Sequence, residues 1–269
     1  DFIIMILNRG LFNFFIMLCI IVMFKGCLFD LFILCTRIVF NFVFHFLSDG
    51  NITIIINSLF FIKKFLDLHQ IESLDHSIIL NENLSFLLTL SNSPLLPLTI
   101  NVYSSICSYG DIPISILFEE HNIIHRIASF IYEYLNDPSQ NNDSCSSAIN
   151  FLLSIVVNAQ LENNVLLAFD LINCFDFKSN LTLFNYENQE KIFYIVMVLL
   201  RKVVLTQAKE LINQKLLMDL ADIATIDQEK TGIFVKTMKL AYERYAADSD
   251  FILMFNEILL VHDFEYEVL

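Results

Sequence analysis

A short pattern returns along this chain at nearly constant distance. Ile56-Asn57 is followed by Ile62, Ile100-Asn101 by Ser105-Ile106, and Ile149-Asn150 by Ser154-Ile155. Phe12-Asn13, followed by Leu18, is a looser copy. The four asparagines lie 44, 44 and 49 residues apart. A recurrence of that length inside helix-like sequence describes one supersecondary unit repeated. Such a unit cannot bury its apolar face alone, so its neighbours must stack on it. The pattern therefore predicts an all-α, right-handed α-solenoid of about five repeats, serving as a binding scaffold.

Composition agrees with long buried helices. Apolar residues make up 56% of the 269 positions, with 27 Phe, no Trp, 5 Gly and 4 Pro. So few breakers argue against a β-sandwich, which needs frequent glycine-containing turns. Helical stretches are expected at 11–24, 28–47, 52–68, 78–91, 95–109, 119–136, 145–158, 162–175, 187–205, 207–225, 229–247 and 250–262. Breaks are expected at Ser48-Asp49-Gly50, Ser91–Pro94, Tyr109–Pro113, Asn136–Asn142 and Asp176–Asn180. The register resumes at Asn150 after the polar stretch Asn136–Ser147. Residues 1–269 are therefore expected to form a single solenoid, with very apolar helices in 1–50 and clearer repeats in 51–269.

Net charge is −14. Residues 1–50 balance, and 51–150 and 151–269 each carry −7. A nucleic-acid binder needs a basic footprint, so that class is excluded. An acidic surface attracts basic partners and also keeps a chain soluble. Cys19, Cys27, Cys35, Cys107, Cys145 and Cys174 form no C-x-x-C pair. Most lie in apolar helical stretches, as buried free thiols in a reducing compartment would.

The N-terminal block supports a rival reading. Leu11–Phe24 and Leu28–Leu47 are apolar runs, and a multi-helix membrane protein anchored through residues 11–47 is the alternative. A span needs roughly 20 apolar residues, and the first run is short of that. The second holds Asp30, Arg37, Asn41 and His45, and each charge at a bilayer centre costs at least ~2.5 kcal/mol. Asp30 and Arg37 share a helix face and could pair. Asn13 continues the repeat register, so packing as solenoid helices is expected. The chain begins at Asp1 rather than Met, as a fragment of a longer protein would.

In this register the chain resembles the armadillo repeats of the importin-alpha (karyopherin-alpha) family over roughly residues 50–269. Leu98–Gly110 matches the small and polar end of the last helix of a repeat. Asp111–Glu120 matches the following loop, and His121-Asn122-Ile123-Ile124 opens the next helix. A second copy runs through Ala148–Gln160, Leu161–Phe169 and Asp170–Leu183. A third runs from Lys191 to Leu205 and on through Gln207–Gln214. Leu216–Ile226, with Leu220, Ala221 and Asp222, resembles the family's late repeats.

The resemblance implies an armadillo/HEAT-like fold. It also implies a non-enzymatic adaptor in the cytoplasm, shuttling to the nucleus, that binds basic cargo peptides for nuclear import. That family holds cargo on a Trp-x-x-x-Asn ladder. The Trp positions correspond here to Asn57, Asn101 and Asn150, and the Asn positions to Phe61, Ser105 and Ser154. Without Trp, binding of a simple basic signal peptide is expected to be weaker than the family shows. The family's basic importin-beta-binding arm is not found in this sequence, as truncation would leave it.

Residues i and i+4 lie one turn apart on one helix face. Asn101/Ser105 and Asn150/Ser154 would thus form polar rungs, with Asn57 in the same series, lining a concave groove. An Asn amide both donates and accepts, so it can hydrogen-bond the backbone of an extended, basic protein segment. The same residues could instead satisfy neighbouring helix ends.

Glu119, Glu120, His121 and His125 form the one metal-like cluster. The zincin pattern needs Glu directly after the first His, and Asn122 stands there, so no metal site is assigned. No nucleophile elbow, phosphate loop or cofactor motif is present, and no catalytic residue, cofactor or metal is expected.

Overall fold

A computed structural model describes residues 43–48, 50–68, 79–90, 93–119, 123–137, 142–159, 165–166, 169–170, 180–262 and 264. The apolar run 11–24, most of 28–47 with Asp30 and Arg37, Asn13 and most of the expected helix 162–175 lie outside them. Two compact units divide the chain, residues 1–58 and 59–269. No described helix is long and apolar enough to cross a membrane.

Among the described residues all regular structure is helical. The helices are α1 (Ile52–Leu68), α2 (Glu82–Leu87), α3 (Leu95–Cys107), α4 (Asp111–Glu119), α5 (Ile123–Asn136), α6 (Asn142–Asn158), α7 (Tyr186–Leu200), α8 (Leu205–Leu211), α9 (Gln214–Ala224), α10 (Gln228–Arg244) and α11 (Ser249–Val261). Short 3₁₀ turns occupy Phe46–Ser48 and Leu181–Leu183.

Side-chain caps explain many of the starts. A helix leaves its first amides unpaired, and an Asn or Asp oxygen can accept from one of them. Asn185 accepts from Asn188 N at 2.9 Å, and Asn213 from Leu216 N at 2.8 Å. Asp227 accepts from Lys230 N at 2.8 Å, and Asp248 from Phe251 N at 3.0 Å. Each cap is worth about 1 kcal/mol.

Two stretches depart from the sequence reading. The expected helix 207–225 is two helices, α8 and α9, because Ile212 and Asn213 are extended and Asn213 caps a new start. Asp111–Glu119, matched to a loop, is helical. Gly110 turns the chain with φ +104, a left-handed geometry that favours glycine. Pro113 then sits in the first turn of α4, where its missing N–H costs no intrahelical bond.

In the second unit the long helices pack in series. α3 packs on α6, α6 on α7, and α7 on α10, while α4 and α5, then α9 and α11, pack behind them. The buried arcs are apolar. Ile100, Val102, Tyr103, Ile106 and Cys107 of α3 are completely buried, as are Ile192, Phe193, Ile195 and Val196 of α7. Phe193 stacks on Phe234 of α10, which in turn lies against Phe264.

Candidate functional site: the exposed faces of the serial helices

The long helices α3, α6 and α7 each keep a narrow stripe out of the core. Successive residues turn by about 100°, so positions i, i+4 and i+7 share a face. On α3 the stripe is Pro97, Asn101, Ser104 and Ser108. On α6 it is Ser146, Asn150, Ser154 and Val157. Glu187, Lys191, Tyr194 and Val198 form it on α7, and Gly232, Lys236, Leu240 and Glu243 belong to a broader exposed face on α10. The last ten residues of α1 show Phe60, Lys64 and Asp67 in the same way.

The edges of each stripe are used to join neighbouring helices. Ser105 is buried beside α1, donating to Asp67 Oδ1 at 2.7 Å and to Asn101 O at 3.3 Å. Asn188 Nδ2 donates to Ser146 Oγ at 2.9 Å, joining α7 to α6. Arg201 Nε donates to Thr237 Oγ1 at 2.7 Å, and Lys230 Nζ meets Glu190 Oε1 at 2.7 Å, joining α7 to α10.

The carboxyl ends of these helices are joined too. Tyr109 donates to Leu66 O at 2.6 Å and Lys202 to Ala159 O at 2.5 Å. Tyr245 donates to Val203 O at 2.7 Å and Arg244 to Arg201 O at 2.6 Å. These partners lie 42 or 43 residues apart, so one device recurs at three of the joints: α1 with α3, α6 with α7 and α7 with α10. It satisfies carbonyls that a helix end leaves without partners.

The residues expected at the site divide accordingly. Asn101 and Asn150 sit half-exposed at the centres of the α3 and α6 stripes, on helices that pack side by side. Ser154 is half-exposed, and its hydroxyl donates to Asn150 O at 3.0 Å. Ser105 stands at a helix joint rather than at a stripe centre. Asn57 is exposed on α1 and belongs to the unit 1–58. The metal-like cluster is only partly described: Glu119 and His125 are exposed, and His125 lies edge-on to Phe118 at 5.1 Å. Among the described residues no group of three His, Cys, Asp or Glu is placed to hold a metal ion.

Phe60 and Tyr194 were not singled out from the sequence. Their signal was present in the helical spacing but hidden among 27 phenylalanines and a general apolar excess. Phe60 is 50% exposed, although its neighbours Leu59 and Ile62 are buried. Tyr194 is half-buried against Phe193 at 5.4 Å. Burial, then the Glu229 carboxylate, lifts its hydroxyl above the usual tyrosine range; Asp227 and Glu190 add to this and Lys230 opposes it.

Lys230 itself is raised above the ordinary lysine range by hydrogen bonds to Asp227 and Glu190. The same bonds hold those two carboxyls low.

The sequence matches no protein-family model and no curated protein. Solved structures do match. A designed armadillo repeat protein in complex with the peptide (KR)4 is 11% identical, covering 84% of this chain and 93% of that one, with a TM-score of 0.59. An engineered protein is 12% identical, covering 83% and 97%, with a TM-score of 0.50. A second designed armadillo repeat protein, 11% identical, covers 82% and 98% with a TM-score of 0.48. At these identities the likeness is one of fold, and this chain has the all-α, armadillo-like repeat fold of an α-solenoid.

Proposed function

We propose that this protein is a non-enzymatic scaffold that binds an extended protein segment across the exposed faces of α3, α6 and α7. The observation that carries this is the placement of Asn101 and Asn150. Both are polar, half-exposed and central on adjacent packed helices, while the joints between helices are made by other residues. A primary amide can donate to a peptide carbonyl and accept from the next amide. Ser154 supports Asn150 from one turn away. The bound peptide of the designed neighbour is basic, and the net charge of −14 favours such a partner here.

An importin-alpha-like adaptor for nuclear import, cytoplasmic and shuttling to the nucleus, is the finer form of this proposal. It rests on the sequence resemblance alone.

The test is fluorescence anisotropy with a labelled alternating Lys-Arg octapeptide, at low and moderate salt. Binding is expected, weakened by added salt because screening shortens electrostatic reach. Asn101→Ala/Asn150→Ala should lose affinity while keeping its helical circular dichroism. Unchanged affinity in that variant would overturn the reading.

A further inference from the structure

We infer that Arg201, at the seam between α7 and α10, is a carboxylate-binding position of the peptide face, where the bound segment places one acidic group. This rests on the peptide-binding reading above and names one element of the partner's chemistry.

The register of α7 against α10 is fixed by four contacts. Lys230 Nζ meets Glu190 Oε1 at 2.7 Å, and Phe193 stacks on Phe234 with centroids 6.5 Å apart. Arg201 Nε donates to Thr237 Oγ1 at 2.7 Å, and Nη2 to Ile233 O at 3.2 Å. On α7, Tyr194, Val198 and Arg201 follow at i, i+4 and i+7, and all three are half-buried. On α10, Ile233, Thr237, Leu240 and Arg244 share a side by the same spacing. That side is turned to α7, because Arg244 Nη1 donates to Arg201 O at 2.6 Å. The Arg201 guanidinium therefore lies in the seam beside the buried Thr237. Val198, half-buried Ile233 and Leu240, which is 42% exposed, supply the apolar surface along it.

A guanidinium carries five N–H donors. The protein engages one on Nε and one on Nη2, both with neutral oxygens, and among the described residues Nη1 has no acceptor. Arg201 meets no carboxylate among them either. The nearby ion pairs are Lys191 with Glu187, and Lys230 with Glu190 and Asp227. Burial lowers the Arg201 pKa, and no neighbouring carboxylate offsets that. Toward the carboxyl end of the seam α10 carries Lys236, Lys239 and Arg244 against Glu243, while Lys202 is turned to Ala159 O. Glu190, Asp227 and Glu229 stand with Lys230 at the amino end. The carboxyl half of the seam is thus positive in a chain of net charge −14.

A half-buried charge without a counterion has given up hydration for neutral acceptors alone. The Nε side of the fork is held by α10, which leaves the end formed by Nη1 and the second Nη2 hydrogen. A carboxylate fits that end through two parallel N–H···O bonds. Apolar neighbours lower the local dielectric, so the pair is stronger there than in open water.

The experiment uses the full chain and the labelled alternating Lys-Arg octapeptide, extended at either end by Gly-Ser-Glu-Ser-Gly or Gly-Ser-Gln-Ser-Gly, with both termini blocked. A third form ends in a free carboxylate after Gly-Ser-Gln-Ser-Gly. At one end the Glu peptide should bind at least tenfold more tightly than the Gln peptide, although Glu lowers the positive charge of the ligand. A gain from the free carboxylate instead supports the same position and names a chain terminus as its source. Arg201→Gln should remove the preference, whereas Thr237→Val, which breaks the joint and keeps the guanidinium, should retain it. If Arg201→Gln fails to fold, Arg201→Lys, which keeps the charge and loses the fork, should shrink the preference at least threefold. A preference that survives in the folded Arg201 variant overturns the inference. Equal affinity for all extended peptides, with binding still lost in Asn101→Ala/Asn150→Ala, overturns it too and leaves the peptide-binding reading standing. No binding of any peptide overturns both.

Discussion

The Arg201–Thr237 joint gives the sharpest test of how the repeats are held. Thr237 is completely buried on α10. Its hydroxyl donates to Ile233 O at 2.7 Å and accepts from Arg201 Nε at 2.7 Å. Arg201 Nη2 donates to Ile233 O at 3.2 Å, and burial lowers the guanidinium pKa from its usual value. Thr237→Val keeps the shape and removes the acceptor. A hydrogen bond to a charged group is worth ~1.5–3 kcal/mol. Arg201 is only half-buried and can turn toward water, so the low end applies, about 1.5 kcal/mol. With a urea slope of ~3 kcal/mol/M, the midpoint should fall by about 0.5 M.

The assay is urea unfolding followed by circular dichroism, run as a double-mutant cycle with Arg201→Met. The cycle isolates the pair from the packing lost in each single variant. A coupling below ~0.3 kcal/mol would show that this joint does not hold α7 to α10.

Other outcomes follow from burial and charge. Glu190 and Asp227 are held below their usual pKa values by hydrogen bonds with Lys230, so both bind protons more weakly folded than unfolded. Their contribution is present above the unfolded carboxylate values near ~4 and is lost as pH falls through the lowered folded values. Acid unfolding should therefore be shallower in Glu190→Gln, and an unchanged pH profile would refute the link. Phe193→Ala, at a completely buried ring between α7 and α10, should cost ~3–5 kcal/mol by chemical denaturation, and a loss under ~1 kcal/mol would contradict the packing. Burial pushes the Cys145 thiol up to about 12 and raises that of Cys107 as well. Both should resist alkylation in the folded protein and react after unfolding, as read by peptide mass mapping; rapid labelling of either without unfolding would contradict their burial.

Much of the fold was legible as periodicity. The stretch 52–68 is a helix at the same bounds, and 95–109 and 229–247 correspond to Leu95–Cys107 and Gln228–Arg244. These segments carry their own instructions: an apolar arc every three to four residues, and Asn or Asp at many of the starts. The break at Ile212-Asn213 was also written locally, but an apolar residue followed by Asn looks the same inside a helix as at a cap. The family's repeat pattern places a loop at Asp111–Glu120, whereas Pro113 in the first turn of a helix is compatible with starting one.

The sequence by itself determined most of the helices, the approximate repeat length and the recurring amides Asn57, Asn101 and Asn150, because backbone propensity and side-chain period are properties of neighbours along the chain. It also supplied the absence of Trp, and with it the expectation of an altered binding face. Only the tertiary structure decided which polar residues are joints and which remain open. Ser105 and Asn101 are four residues apart on one helix, yet Ser105 lies buried against Asp67 and Asn101 is half-exposed at the stripe centre. That difference comes from the helix packed alongside, 38 residues away in the chain, and no local pattern can carry it. The pairing of Lys230 with Glu190 has the same origin: the offset between stacked repeats is set by how their apolar arcs interlock.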